Sequence, residues 1–226
     1  MKMRTLNLLF LLLASCSAFT QQPKWDSTYR PASYSLKVGQ FKSFANKKSD
    51  IIFLGNSITA GTDWNELLGL SNARNRGISG DITFGVLERL DEVIEGQPAK
   101  VFILIGINDI SRNIPDSVII HNYRKMVQRI QACSPTTKIY MQTLLPVNNE
   151  FTQFKNHYNK DVHIVYVNAA IKQLVKECKV NLIDLNPGFQ DANGKLDKKY
   201  TEDGLHLNIE GYKVWASILK KGNYLK

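Results

Sequence analysis

Residues 50–68, DIIFLGNSITAGTDWNELL, decide how this chain is read. Ile51, Ile52, Phe53 and Leu54 form a continuous apolar run that breaks off at Gly55 into small and polar residues. An unalternating β-branched and aromatic run is what a strand buried on both faces requires, so 51–55 predicts an inner strand of a parallel sheet. Ser57 follows at once. A serine between a strand and a helical pattern is commonly an N-cap that does no chemistry. The rest of the chain must decide between that role and a nucleophile.

Working outward, apolar runs alternate with helical patterns. A shorter strand is expected at 75–79. Phe84, Val86, Leu87, Leu90, Val93 and Ile94 then recur at helical spacing and stop before Gly96 and Pro98. A second strong apolar run, 101–105, ends at Gly106. Pro115 opens a helix over 116–133, with Ile119, Tyr123, Met126, Val127 and Ile130 on one face. A strand at 138–144, a helix marked by Val167, Ile171, Leu174, Val175 and Cys178, a strand at 180–185 and a helix at 208–221 complete the pattern. Such alternation predicts a doubly wound, three-layer α/β domain with a parallel sheet of about five strands.

The 226 residues suit one sizeable domain, taken here as 49–226. Hydrophobic residues at 43% and charged residues at 22% are ordinary globular usage, which argues against disorder and a multi-span membrane protein. Lys2 and Arg4 precede a short apolar stretch, 6–14, so residues 1–20 read as a signal peptide. Within it Leu13-Ala14-Ser15-Cys16 resembles a lipoprotein box, which would make Cys16 lipidated and the first mature residue. Cleavage between Ala18 and Gln21 is the competing reading. Either way the protein is expected to be exported, periplasmic, secreted or held at the envelope, touching membrane only through such an anchor. Residues 21–48 read as an N-terminal arm whose aromatics pack on the body.

The net charge of +9 falls to +7 without Lys2 and Arg4, and the remaining basic residues are scattered. No aromatic-interleaved basic stripe suggests a nucleic-acid surface. No Cys/His spacing suits a metal, and none is expected. Cys133 and Cys178 end two helices that right-handed crossovers would place side by side, so a disulfide between them in an oxidising compartment is one reading and two buried free thiols the other.

Ligands of an open parallel sheet collect at the carboxyl ends of the strands. Four polar or glycine-rich interruptions fall there: Gly55-Asn56-Ser57-Ile58-Thr59, Gly77-Ile78-Ser79-Gly80-Asp81, Gly106-Ile107-Asn108-Asp109 and Asp203-Gly204-Leu205-His206. Singly, each is ordinary turn chemistry. Together they supply a hydroxyl at a helix start, a base in His206, and a carboxylate three residues before it that reaches the imidazole. Donors for an oxyanion come from the Ser57 and Gly80 N–H groups and the Asn108 side chain. Trp64, Asn148 and Phe151 are candidate pocket residues.

These four blocks resemble those of the SGNH or GDSL-type hydrolases, over residues 50–221. Asn56 stands where the family name has Asp, a departure that leaves the nucleophile unchanged. The second and third blocks look most like the branch of platelet-activating-factor acetylhydrolase subunits and bacterial carbohydrate acetylesterases. The resemblance implies a flavodoxin-like α/β/α sandwich, no cofactor, and hydrolysis of small acyl esters, with an O-acetylated sugar as the expected substrate. It would make Ser57 the nucleophile, His206 the base, Asp203 its orienter, and Gly80 and Asn108 part of the oxyanion hole. Thr59 in place of the last glycine of a Gly-x-Ser-x-Gly elbow argues against an α/β-hydrolase. The alternatives are a lysophospholipase or acyl-thioesterase of the same family, and a non-catalytic carbohydrate-binding envelope protein.

Overall fold

The computed structural model describes residues 25–226. The expected signal peptide, with Cys16, and the start of the expected arm lie outside these residues. In chain order the elements are α1 (Tyr34–Ser43), β1 (Ile51–Gly55), α2 (Ser57–Ala60), α3 (Trp64–Leu68), β2 (Ala73–Gly77), α4 (Thr83–Glu88), α5 (Leu90–Ile94), β3 (Lys100–Leu104), α6 (Ile107–Ser111), α7 (Asp116–Cys133), β4 (Lys138–Gln142), α8 (Asp161–Cys178), β5 (Asn181–Ile183) and α9 (Ile209–Lys221). Among the described residues five parallel strands form one sheet in the order β2-β1-β3-β4-β5. No described helix is long and apolar enough to cross a membrane.

Register explains the core. Phe53 pairs with Phe102 and Phe102 with Tyr140, so the three rings stand in a row on one face at 4.9 and 4.6 Å. Trp64 of α3 stacks on Phe53 at 4.0 Å, and Trp215 of α9 meets it edge-on. Neighbouring positions point to the opposite face, where α4, α5, α7 and α8 pack on one another. The three layers follow.

Several boundaries depart from expectation for identifiable reasons. β2 lies two residues earlier than 75–79, because it is an edge strand rich in Arg and Asn and its position is set by pairing with β1. The expected 84–94 helix is broken at Arg89, which leaves helical geometry so that its buried guanidinium reaches Asp81 Oδ2 at 3.0 Å and the Gly55 and Arg76 carbonyls at 3.1 and 2.9 Å. α8 begins at Asp161, its first turns disguised by exposed Val162, Val165 and Tyr166.

The arm packs through Tyr34 and Phe41, which bury Ile78 between them and the body, and the Tyr34 hydroxyl donates to the Gly85 carbonyl at 2.7 Å. Trp25 and Phe44 stay partly exposed.

The disulfide between Cys133 and Cys178 is not formed. α7 and α8 are neighbours, and the Gln131 side chain donates to the Cys178 carbonyl at 2.9 Å, yet both thiols are free. Cys133 lies two residues beyond Gln131, about 200° around the helix. It faces a cleft lined by Lys42, Glu92 and Gln97, away from α8.

Candidate active site

β1 pairs with β2 on one side and β3 on the other in level register, Gly55 opposite both Gly77 and Leu104. The loops leaving these strands therefore emerge side by side. The order 2-1-3-4-5 reverses between β1 and β3, which opens a crevice at the carboxyl ends there. Ser57, Gly80 and Asn108 sit on the three loops around that crevice, and His206 reaches it from the segment before α9.

The cap of α2 is Asn56, buried, whose side-chain oxygen accepts from the Ile58 N–H at 3.0 Å. Ser57 is the first helical residue, so its hydroxyl has no capping duty. Instead it lies 2.9 Å from His206 Nε2. His206 Nδ1 is 2.8 Å from Asp203 Oδ2, while Asp203 Oδ1 accepts from the Leu205 and His206 N–H groups at 2.9 and 2.8 Å. Partial burial works against the Asp203 charge. The His206 and Leu205 amides and the imidazole outweigh it and hold the carboxyl below its ordinary range. An ionised Asp203 fixes the ring with Nδ1–H toward itself and the Nε2 lone pair toward the hydroxyl.

Asn108 is buried, and its Nδ2 donates to the Asp81 carbonyl at 2.9 Å. Its Oδ1 stands 2.9 Å from His157 Nε2. Because an amide oxygen only accepts, His157 must present Nε2–H. Burial first, then the nearby His206 and Arg112, push the His157 imidazole down to about 4, so it is neutral at pH 7. Gly80 has φ of +81°, and a Cβ there would stand 3.3 Å from Pro31 of the arm. The positive φ is what favours a glycine there, and a Cβ would in addition crowd the Pro31 side chain. α2 is only one turn long, so it offers individual N–H groups at its start rather than a helix dipole.

A cavity of about 370 Å³ joins these parts, lined by Ser57, Gly80, Asn108, Arg112, Phe154 and His206 among others. The Phe154 ring meets His206 edge-on at 4.8 Å. Four roomier clefts, of about 530, 600, 420 and 420 Å³, contain neither Ser57 nor His206. Among the described residues no cluster of three or more His, Cys, Asp or Glu is arranged to hold a metal ion.

The three candidate pocket residues lie elsewhere. Trp64 is fully buried in the aromatic core, its indole N–H bonded to the Thr59 carbonyl at 2.9 Å. Asn148 is also fully buried; its backbone N–H donates to the Gly204 carbonyl and its side chain to the Leu196 carbonyl, so it supports the loop carrying His206. Phe151 packs over Gly204, where a Cβ would come within 2.9 Å of its ring. Sequence reasoning passed over Phe154, His157 and Arg112. For the first two the available signal was the long irregular stretch 143–160, since loops of that length are commonly functional. For Arg112 it was a position four residues after Asn108, on the same face of a helix.

The sequence profile described as the GDSL-like Lipase/Acylhydrolase family matches residues 53–214. The alpha2 subunit of platelet-activating factor acetylhydrolase IB from Homo sapiens is 30% identical over 174 residues, covering 74% of this chain and 72% of that one. A solved structure from Streptococcus pneumonia, assigned provisionally as a platelet activating factor, superposes with a TM-score of 0.78 at 32% identity, covering 86% of this chain and 93% of that one. A GDSL-like lipase from Bacteroides thetaiotaomicron shares the fold, with a TM-score of 0.72 at 24% identity over 84% of this chain and 96% of its own.

Proposed function

Because the chain belongs to the GDSL-like lipase/acylhydrolase family, we propose that it is an exported serine esterase removing acetyl or another short acyl group from an O-acylated carbohydrate. The family's chemistry is acyl hydrolysis, and the coarse activity is that of a carboxylic-ester hydrolase. The observation that carries the finer reading is the hydrogen-bonded line from Asp203 through His206 to Ser57, opening on one cavity.

In this reading His206 Nε2 takes the Ser57 proton as Oγ attacks the ester carbonyl, and Asp203 stabilises the resulting imidazolium. The Ser57 and Gly80 N–H groups and the second Asn108 N–H receive the oxyanion. His206 then gives its proton to the departing alcohol. Water repeats the sequence on the acyl-enzyme and releases the acid. A short acyl group is supported by the acetylhydrolase relative. A carbohydrate is supported by the signal-peptide-like N-terminus, since an exported enzyme would meet O-acylated glycans.

The test is turnover of p-nitrophenyl esters of increasing chain length, together with acetate release from acetylated sialic acid, xylan and pectin. Wild type is expected to prefer acetyl and to react with a fluorophosphonate at Ser57, and Ser57→Ala should lose nearly all turnover. Preference for acyl chains of eight or more carbons would favour the lysophospholipase or thioesterase reading. Failure to react with the probe would favour a non-catalytic binding protein.

A further inference from the structure

Arg112 caps α6 one turn after Asn108, which puts its guanidinium and the Asn108 amide on the same side of the helix. It lines the cavity that holds Ser57 and His206. Its Cζ lies 3.1 Å from the centroid of the Tyr29 ring, on the arm segment that also covers Gly80. At that distance the planar group lies flat on the ring, and its N–H edge remains available.

That edge has no acceptor among the described residues, and Arg112 is in no ion pair there. The surrounding carboxylates are engaged elsewhere. Asp26, close enough to feel the charge, accepts from the Thr28 N–H and hydroxyl at 2.7 and 2.6 Å. Glu88 pairs with Arg30, and Asp203 with His206. Among the described residues lining the cavity no other side chain is a lysine, arginine or carboxylate, so Arg112 is the one permanent charge these residues supply.

A cation placed this way, stacked and with its donors free beside a reacting hydroxyl, is suited to an oxyacid group. We infer that Arg112 determines specificity by binding a carboxylate or phosphate on the substrate near the scissile ester, so that the preferred substrates are acyl esters of acidic sugars. The inference rests on the esterase reading above and names the substrate class for that same site.

Acetate release is measured from an O-acetylated galacturonic acid glycoside and from its carboxyl methyl ester, which differ in charge but hardly in shape. An acetylated hexose 6-phosphate and the unphosphorylated sugar form a second pair that separates a phosphate source from a carboxylate source. Wild type should favour the anionic member of at least one pair about tenfold to a hundredfold in kcat/KM, the range of hydrogen bonds to charged groups. Arg112→Met should bring that ratio to about one, and Arg112→Glu should invert it. Arg112→Lys should keep part of it. A wild-type ratio near one in both pairs, or a ratio unmoved in Arg112→Met, overturns the inference. Turnover of p-nitrophenyl acetate that is lost in Ser57→Ala serves as a separate control. Its absence in wild type defeats the esterase reading, whereas its presence without anion preference defeats only the role of Arg112.

Discussion

Asn108 is held at both ends of its amide, by the Asp81 carbonyl and by His157, and this fixes which way its remaining N–H points. Asn108→Ala should therefore cost about 10²–10³ in kcat, as loss of an oxyanion donor does. His157→Leu should lower kcat by about tenfold through misorientation of that amide, and His157→Gln, which restores an N–H donor, should recover much of it. A distinct signature comes from acid. Folded His157 stays neutral down to about 4, whereas the unfolded imidazole takes its proton near pH 6.5. Between these values the unfolded state binds more protons, so stability falls as pH falls through the window. The thermal midpoint of wild type should drop between pH 7 and 4.5 by about 2–4 °C more than that of His157→Gln, a figure discounted for the partial exposure of the ring. Equal drops would show that His157 does not carry this linkage. At this scale the sequence was legible where chemistry restricts the residue type. Ser57, His206 and Asp203 stood out because few other side chains serve those tasks. Trp64 did not declare its place, because an indole near a serine reads the same whether it faces a pocket or stacks on Phe53.

At the scale of elements, the Gly80-Asp81 loop is held by one buried ionic cluster. Arg89 interrupts what periodicity reads as a single helix and ties Asp81 to the ends of β1 and β2, while Arg76 and Glu92 pair at 3.1 Å beside it. Burial raises the Asp81 and Glu92 carboxyls despite these arginines, so the cluster depends on all its members. Arg89→Leu should destabilise the fold by about 3–5 kcal/mol, because it leaves Asp81 charged and unpaired in the interior. It should also lower kcat, since Asp81 adjoins Gly80 and its carbonyl holds Asn108. Chemical denaturation and p-nitrophenyl acetate turnover at a temperature where the variant is folded check the two effects. The kink at Arg89 was not legible from helical spacing, which records which residues face inward but not that one of them needs carbonyl acceptors. The edge strand β2 was similarly obscure, since its Arg and Asn residues carry no apolar run and only pairing with β1 fixes it.

For the whole molecule, the parallel three-layer architecture was legible because each inner strand announces itself by a run buried on both faces. The convergence of the first three blocks followed from it, for loops at the carboxyl ends of level strands share one crevice; the fourth, Asp203 to His206, was expected at a strand end but lies well beyond β5, in the segment before α9. The disulfide was not recoverable in the same way. Crossover handedness brought α7 and α8 together, but the turn of α7 between Gln131 and Cys133 sends the thiol to the other side. A chain beginning after residue 20 should yield two reactive thiols per molecule when denatured without reductant; none would mean that Cys133 and Cys178 are bridged. The separation of 149 residues between Ser57 and His206 bears on when the site exists at all. A chain synthesised only as far as Tyr200 carries Ser57 and the loops of Gly80 and Asn108, but it lacks Asp203, His206 and α9, whose Trp215 closes on Trp64. Contacts of such long range are the slow ones to form. If the proposed roles of Ser57 and His206 hold, esterase turnover is thus the last property the polypeptide acquires, and a nascent chain is silent toward esters until its C-terminal segment is in place.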